Sequence, residues 1–152
     1  MSLATDSILI AAIKSDDDIM ERIGNRIYST AIPLPDEDAD NVPTPYIIVS
    51  FDGLNNDQTT KDDPYESGTD IVNVSVEIVA GSRPELAKLA MDVRSVIHSY
   101  FLNEYTQVEG YNFSSDAVNY DQFKPCYWQV LRYQCDVTEQ KKWEQLKDRI
   151  SD

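Results

Sequence analysis

The sequence predicts a single α+β domain: a mostly antiparallel or mixed β-sheet of about four or five strands, with helices packed on one face. Three observations carry that prediction. Ile71 to Val79 alternates strictly, with Val72, Val74, Val76 and Ile78 on one side and Asn73, Ser75 and Glu77 on the other, as a strand with one buried face requires. Leu86, Leu89, Ala90, Val93, Val96, Ile97, Tyr100 and Phe101 recur at three- and four-residue steps, so their helix has one apolar side suited to covering a sheet. Tyr127, Leu131, Tyr133, Cys135 and Val137 share one parity in a late run from Cys126 to Thr138, which reads as a second long strand.

The other elements follow in chain order. Ser7 to Lys14 has the apolar content of a short helix, with Thr5, Asp6 and Ser7 as candidate caps. Ser15-Asp16-Asp17-Asp18 places carboxylates where a second helix would have an electropositive N-terminus, and Gly24 is its natural stop. Arg26-Ile27-Tyr28 reads as a short extended piece. Pro33 and Pro35 end it, an acidic connection follows, and Pro45 restarts a strand-length apolar run from Tyr46 to Phe51. Residues 52 to 68 hold few apolar side chains and many turn formers, so a long mobile loop is expected there. Ser82-Arg83-Pro84-Glu85 has the form of a capping box opening the long helix, with Pro84 tolerated in its first turn. Between Tyr105 and Phe123, Val108, Tyr111 and Phe113 suggest a strand, Ser114 to Asp116 a turn, and Ala117 to Asp121 a further short strand. Gln140 to Ile150 has Trp143, Leu146 and Ile150 on one side of a predicted helix able to dock on its own domain or on a neighbour. The domain is thus placed at residues 1–138 and a C-terminal helical extension at 139–152.

Composition narrows the functional classes. The chain has 152 residues, enough for one substantial core, and its 41% apolar content is that of a folding chain. No apolar run approaches a membrane span of roughly 18 residues, and the first residues lack the basic start of a secretory signal, so a cytoplasmic protein without a membrane partner is expected. Thirteen Lys and Arg against 27 Asp and Glu leave a net charge of −14, which disfavours tight binding to nucleic-acid backbones. The acidity is concentrated early, since residues 36 to 70 hold ten acids and one base, Lys61. Cys126 and Cys135 stand nine positions apart in one strand, roughly 30 Å at about 3.3 Å per residue, too far to pair. With the lone His98, they fall short of a metal-ligand set and read as packing residues.

Catalytic motifs are missing from the sequence: there is no phosphate-cradling glycine loop, HExxH, CxxC or nucleophile elbow. A carboxylate-pair hydrolase needs no local motif and is the enzymatic class left open; a non-enzymatic protein without catalytic residues or cofactor is the expectation. Asp36, Asp38 and Asp40 match the first ligand positions of a calcium loop, but Asn41 replaces its turn glycine and Ile47 its closing glutamate, so no metal site is expected. His98 lies one step off the apolar stripe of its helix, with no evident acid–base partner.

The order of these pieces carries a resemblance. An N-terminal helix, Gly24-Asn25-Arg26-Ile27-Tyr28, Pro45-Tyr46-Ile47-Ile48-Val49, a strand ending Val79-Ala80-Gly81-Ser82, a helix with Leu86, Ala90, Val93 and Arg94, and Tyr127-Trp128-Gln129-Val130-Leu131-Arg132-Tyr133 together resemble the tail-completion, or tail-terminator, proteins of long-tailed phages and prophages, over roughly residues 3 to 138. The individual motifs are weak; their order and spacing carry the likeness. It implies an α+β subunit that assembles as a homo-oligomeric ring, a hexamer among the sizes implied, on the end of the tail tube. There it would end tube polymerisation, meet the tail-tube and head-connector proteins, and reside in the virion tail, with DNA only passing through its lumen. Asp57, Lys61, Asp62, Asp63 and Tyr65 of the acidic loop, with Trp143 of the tail, are the candidate partner interface. Two other readings stand beside it: an acidic inhibitor imitating the phosphate array of DNA to occupy a nucleic-acid-binding enzyme, and another head–tail adaptor.

Overall fold

A computed structural model describes residues 2–32, 42–56, 69–105 and 108–138. A short 3-10 turn, Ser2–Ala4, leads into α1 (Thr5–Lys14) and α2 (Asp17–Ile23), then β1 (Ile27–Ser29), β2 (Tyr46–Asn56), β3 (Thr69–Ala80), α3 (Arg83–Asn103), β4 (Val108–Ser115), β5 (Asn119–Asp121) and β6 (Cys126–Thr138). The fold is a single α+β domain in which three helices pack against one mixed sheet. The sheet has six strands rather than four or five, ordered β1-β2-β3-β6-β4, with β5 also on β6. The count reaches six with β1 and β5, three residues each, which form at the extended piece expected at Arg26 to Tyr28 and the short strand expected at Ala117 to Asp121.

The ladders are antiparallel except β1 on β2, which is parallel. β3 and β6 form the centre, paired from Thr69 opposite Thr138 to Ala80 opposite Tyr127. That register sets Val72, Val74 and Val76 beside Cys135, Tyr133 and Leu131 on one face. Those side chains are buried with Ile47 and Val49 of β2, Leu9 and Ile13 of α1, Ile19 and Ile23 of α2, and Leu86, Leu89, Val93 and Ile97 of α3 in one cluster. The core is therefore one-sided. β4 and β5 lie end to end along the far edge of β6, where Ser115 pairs Leu131 and Asn119 pairs Trp128. Three residues on one side of that gap face two on the other, so the edge kinks, and Asp116 N–H donates to the Val130 carbonyl across it at 2.9 Å.

Local chemistry sets the helix starts. Asp16 caps α2, accepting from the Ile19 N–H at 2.9 Å, and Asp17 and Asp18 occupy the first turn where the helix dipole favours them. Ser82 caps α3, accepting from the Glu85 N–H at 3.3 Å. The reciprocal half of the capping box is not made: Glu85 Oε1 is enclosed without a hydrogen-bond partner among the described residues. Arg22 of α2 binds Asp92 of α3 and joins the helices. Burial pushes the Asp92 carboxyl up, but the bonds from Arg22 and Lys88 outweigh it and hold the group below its ordinary value.

The expected loop at 52–68 is corrected at its start, because β2 runs on to Asn56. Asp52 is the extra residue of a β-bulge between Phe51 and Gly53, and Gly53 has φ +135°, a conformation a side chain would strain. The bulge restores register, so Leu54 returns to the helix side opposite Val72. Turn-forming residues thus conceal a continuing strand. Residues 57–68, the connection at 33–41 and the predicted helix at 140–150 lie outside the described residues.

Leu89 is fully buried under α3 whereas Met91 is 60% exposed. Leu89→Ala should lower unfolding stability by about 2–5 kcal/mol through lost burial and a cavity, and Met91→Ala should change it by no more than about 0.5 kcal/mol. Urea titration of the two variants measures the difference.

Candidate functional site

With all described helices on one face, the other face of the sheet is formed by the opposite parity of every strand. Its rows follow from the register: Tyr46, Val79 and Trp128; then Tyr28, Ile48, Glu77 and Val130; then Ser50, Ser75, Arg132 and Ser114; then Asn73, Gln134 and Asn112. The face grades from aromatic and aliphatic at the start of β6 to amide and hydroxyl toward its end. At the polar end a groove of about 440 Å³ is lined by Asp52, Asn73, Asn112, Ser114, Arg132 and Gln134. Gln134 Nε2 donates to Asn73 Oδ1 at 3.4 Å within it.

Charge on this face is arranged unevenly. Arg132 donates to both carboxylate oxygens of Asp116, at 3.0 and 2.8 Å. These bonds hold the Asp116 carboxyl below its usual range and raise Arg132 further. Arg132 stands diagonally from Glu77 across the β3–β6 ladder, with its guanidinium bound to Asp116. Glu77 is left half-buried between Ile48 and Val130 with no ion pair among the described residues, and burial raises its pKa above the ordinary 4.5.

The cysteines stand on opposite faces, as their odd spacing dictates, Cys126 beside Asp121 and Cys135 in the core. Both are free and buried. Burial pushes the Cys135 thiol up to about 12 and raises Cys126 as well, so both are poor nucleophiles. Beneath the sheet Tyr133 packs against Phe101, Tyr111 and Phe113, with ring centres 6.2, 5.7 and 5.1 Å away. Its buried hydroxyl has no hydrogen-bond partner among the described residues, and desolvation keeps the phenol neutral. His98 is exposed and hydrogen-bonds through Nδ1 to the Tyr111 hydroxyl, a partner its sequence position did not reveal. Burial raises the Tyr111 phenol too.

No group of three or more His, Cys, Asp or Glu among the described residues could hold a metal ion. No described helix is long and apolar enough to cross a membrane. The interface residues expected from sequence, Asp57, Lys61, Asp62, Asp63, Tyr65 and Trp143, all lie outside the described residues, so the structure brings none of them to a site. The open face was missed because its residues come from separate strands, and only the pairing register sets them in rows.

No family model matches this chain, and no curated protein matches it. Its fold is similar to that of a chain in the virion of a native gene transfer agent particle, with a TM-score of 0.58 and 11% identity over 86% of this chain and 92% of that one. At that identity the likeness is one of fold, shared over nearly the whole of both chains.

The Glu77 environment makes a pH prediction. A carboxyl whose folded pKa is raised binds its proton more tightly when folded, so ionisation destabilises the fold as pH rises through 4.5 and beyond the folded value. Glu77→Gln should therefore raise the urea midpoint at pH 7, with the gain shrinking to nothing below pH 4.5. Paired urea titrations across that range check it, and a gain that grows toward acid pH would reverse the assignment.

Proposed function

We propose that this chain is a structural subunit of a phage-like tailed particle, assembling as a homo-oligomeric ring that closes the tail tube, ends its polymerisation and offers the head-attachment surface. The observation that carries this reading is the fold shared with a chain of a gene transfer agent virion across 86% of this protein and 92% of that chain. The order of elements, which resembles that of tail-completion proteins, supports it independently. Its partners on this reading are further copies of itself, the tail-tube protein and the head-connector protein, and its place is the virion tail after assembly in the cytoplasm.

The site chemistry fits a role in assembly. The thiols are buried and raised, and the open sheet face grades from apolar to polar, suited to packing against another protein. A net charge of −14 suits a ring through which DNA slides, since affinity for phosphate backbones depends on cationic contacts.

Charge also sets the expected association. Copies at −14 repel one another, and salt shortens that repulsion to about 8 Å at physiological ionic strength. The isolated protein should sediment as a monomer or weak oligomer at low salt and shift toward a ring as salt is raised or tail-tube ends are added. Sedimentation velocity across a salt series, with and without the tube protein encoded in the same locus, makes the test. A strict monomer indifferent to both, which instead competes with DNA for a nucleic-acid-binding enzyme, would replace this reading with the acidic mimic.

A further inference from the structure

The long helix has a second stripe that the core does not use. Met91, Arg94, His98 and Leu102 follow one another at steps of three, four and four, on the flank of α3 that faces β4. Asp92, bound to Arg22, marks the opposite flank, where α2 packs. Met91 and Leu102 are 60% and 64% exposed, large apolar side chains left outside the core. Beside them runs β4, which pairs with β6 along one edge and with nothing along the other among the described residues. A groove of about 380 Å³ lies between α3 and β4 over Phe101, Val108 and Tyr111. A second hollow of about 190 Å³ continues past Arg94 and Phe113 to Leu131.

Arg94 is the informative residue. Its guanidinium carbon sits 4.0 Å from the centre of the Phe113 ring, and no carboxylate pairs with it among the described residues, in a chain with 27 acids and 13 bases. Stacking fixes its orientation while leaving its N–H donors available to a partner. Arginine, methionine and aromatic side chains around a desolvatable groove are the residues that dominate protein interfaces.

The other end of the sheet has the complementary character. β1 is only three residues long, and α1 packs beside it. Residues 2 to 32 carry Asp6, Asp16, Asp17, Asp18 and Glu21 against Lys14, Arg22 and Arg26. Two of those bases are engaged internally, Arg22 with Asp18 and Asp92 and Arg26 with the Pro45 carbonyl. Leu3, 74% exposed, stands in the 3-10 turn that leads into α1. One flank is thus acidic with an exposed leucine, and the other is an apolar groove with an available arginine.

We propose that the α3–β4 flank is the docking surface for a second copy of this chain, which presents its acidic α1–α2 flank to Arg94 and its exposed apolar residues to the groove. The contact joins opposite edges of the sheet, so it is heterologous, and repetition closes a ring when the rotation per subunit allows. It rests on the ring reading above and assigns that ring its two mating surfaces.

The test uses full-length protein under conditions where the wild type assembles. Arg94→Glu should weaken association about tenfold or more, the loss typical of an interface anchor, with the thermal melt of the subunit little changed. A photo-crosslinking benzoylphenylalanine in place of Leu102, in a mixture of isotopically light and heavy protein, should give light–heavy crosslinks to residues 2–32. Undiminished assembly of Arg94→Glu, or crosslinks that join Leu102 to the same flank or to the open sheet face, would overturn the assignment while leaving the ring intact. A wild type that never assembles, even with tube ends present, removes the ring and this contact together.

Discussion

β3 and β6 pair along their whole length, from Thr69 opposite Thr138 to Ala80 opposite Tyr127, and the other elements are placed by that ladder. Its register sets Val72, Val74 and Val76 against Cys135, Tyr133 and Leu131, and so produces a single apolar face wide enough for α3 to cover. A one-residue slip would carry each of these side chains to the other face and leave Leu86, Leu89 and Val93 with nothing to bury against. β2 and β4 extend the same face on either side, and α1 and α2 fill the space over β2 beside α3.

Because the core is one-sided, the rest of the surface is free to be specific. The second face of the sheet grades from Trp128 and Ile48 to Asn73 and Gln134, and the β4 edge stays open beside the exposed stripe of α3. On the proposed ring reading, a subunit that packs against copies of itself and against other proteins uses several such surfaces at once. The half-buried Glu77 and the stacked Arg94 belong to this second tier: neither has an ion pair among the described residues.

Legibility in the sequence followed the period of each element. The alternation at Val72 to Ile78 and the stripe from Leu86 to Phe101 were readable because a long run repeats its signal several times. The end of β2 was not, since Asp52, Gly53, Asn55 and Asn56 are turn formers, and pairing with β3 around a bulge overrides that preference. β1 and β5 are too short to carry a period, and their turn-forming flanks made them legible instead. Of the candidate surfaces, His98 was visible only as a residue beside an apolar stripe, and Arg94 only as part of the helix that carries the resemblance. Their neighbours Phe113 and Tyr111 come from a strand ten or more positions away, which tertiary structure alone brings close. The expected interface at residues 57–65 and Trp143 lies outside the described residues and stays an expectation from sequence.

Hydrogen exchange on the isolated and assembled protein tests most directly whether cohesion resides in the β3–β6–α3 centre while the sheet edges serve neighbours. The account predicts slow exchange in β3, β6 and α3 in both states, with amides of β4 fast in the subunit and protected on assembly. If β4 is already as slow as β3 in the isolated chain, or if assembly leaves β4 unchanged, the division between core and contact surface is contradicted.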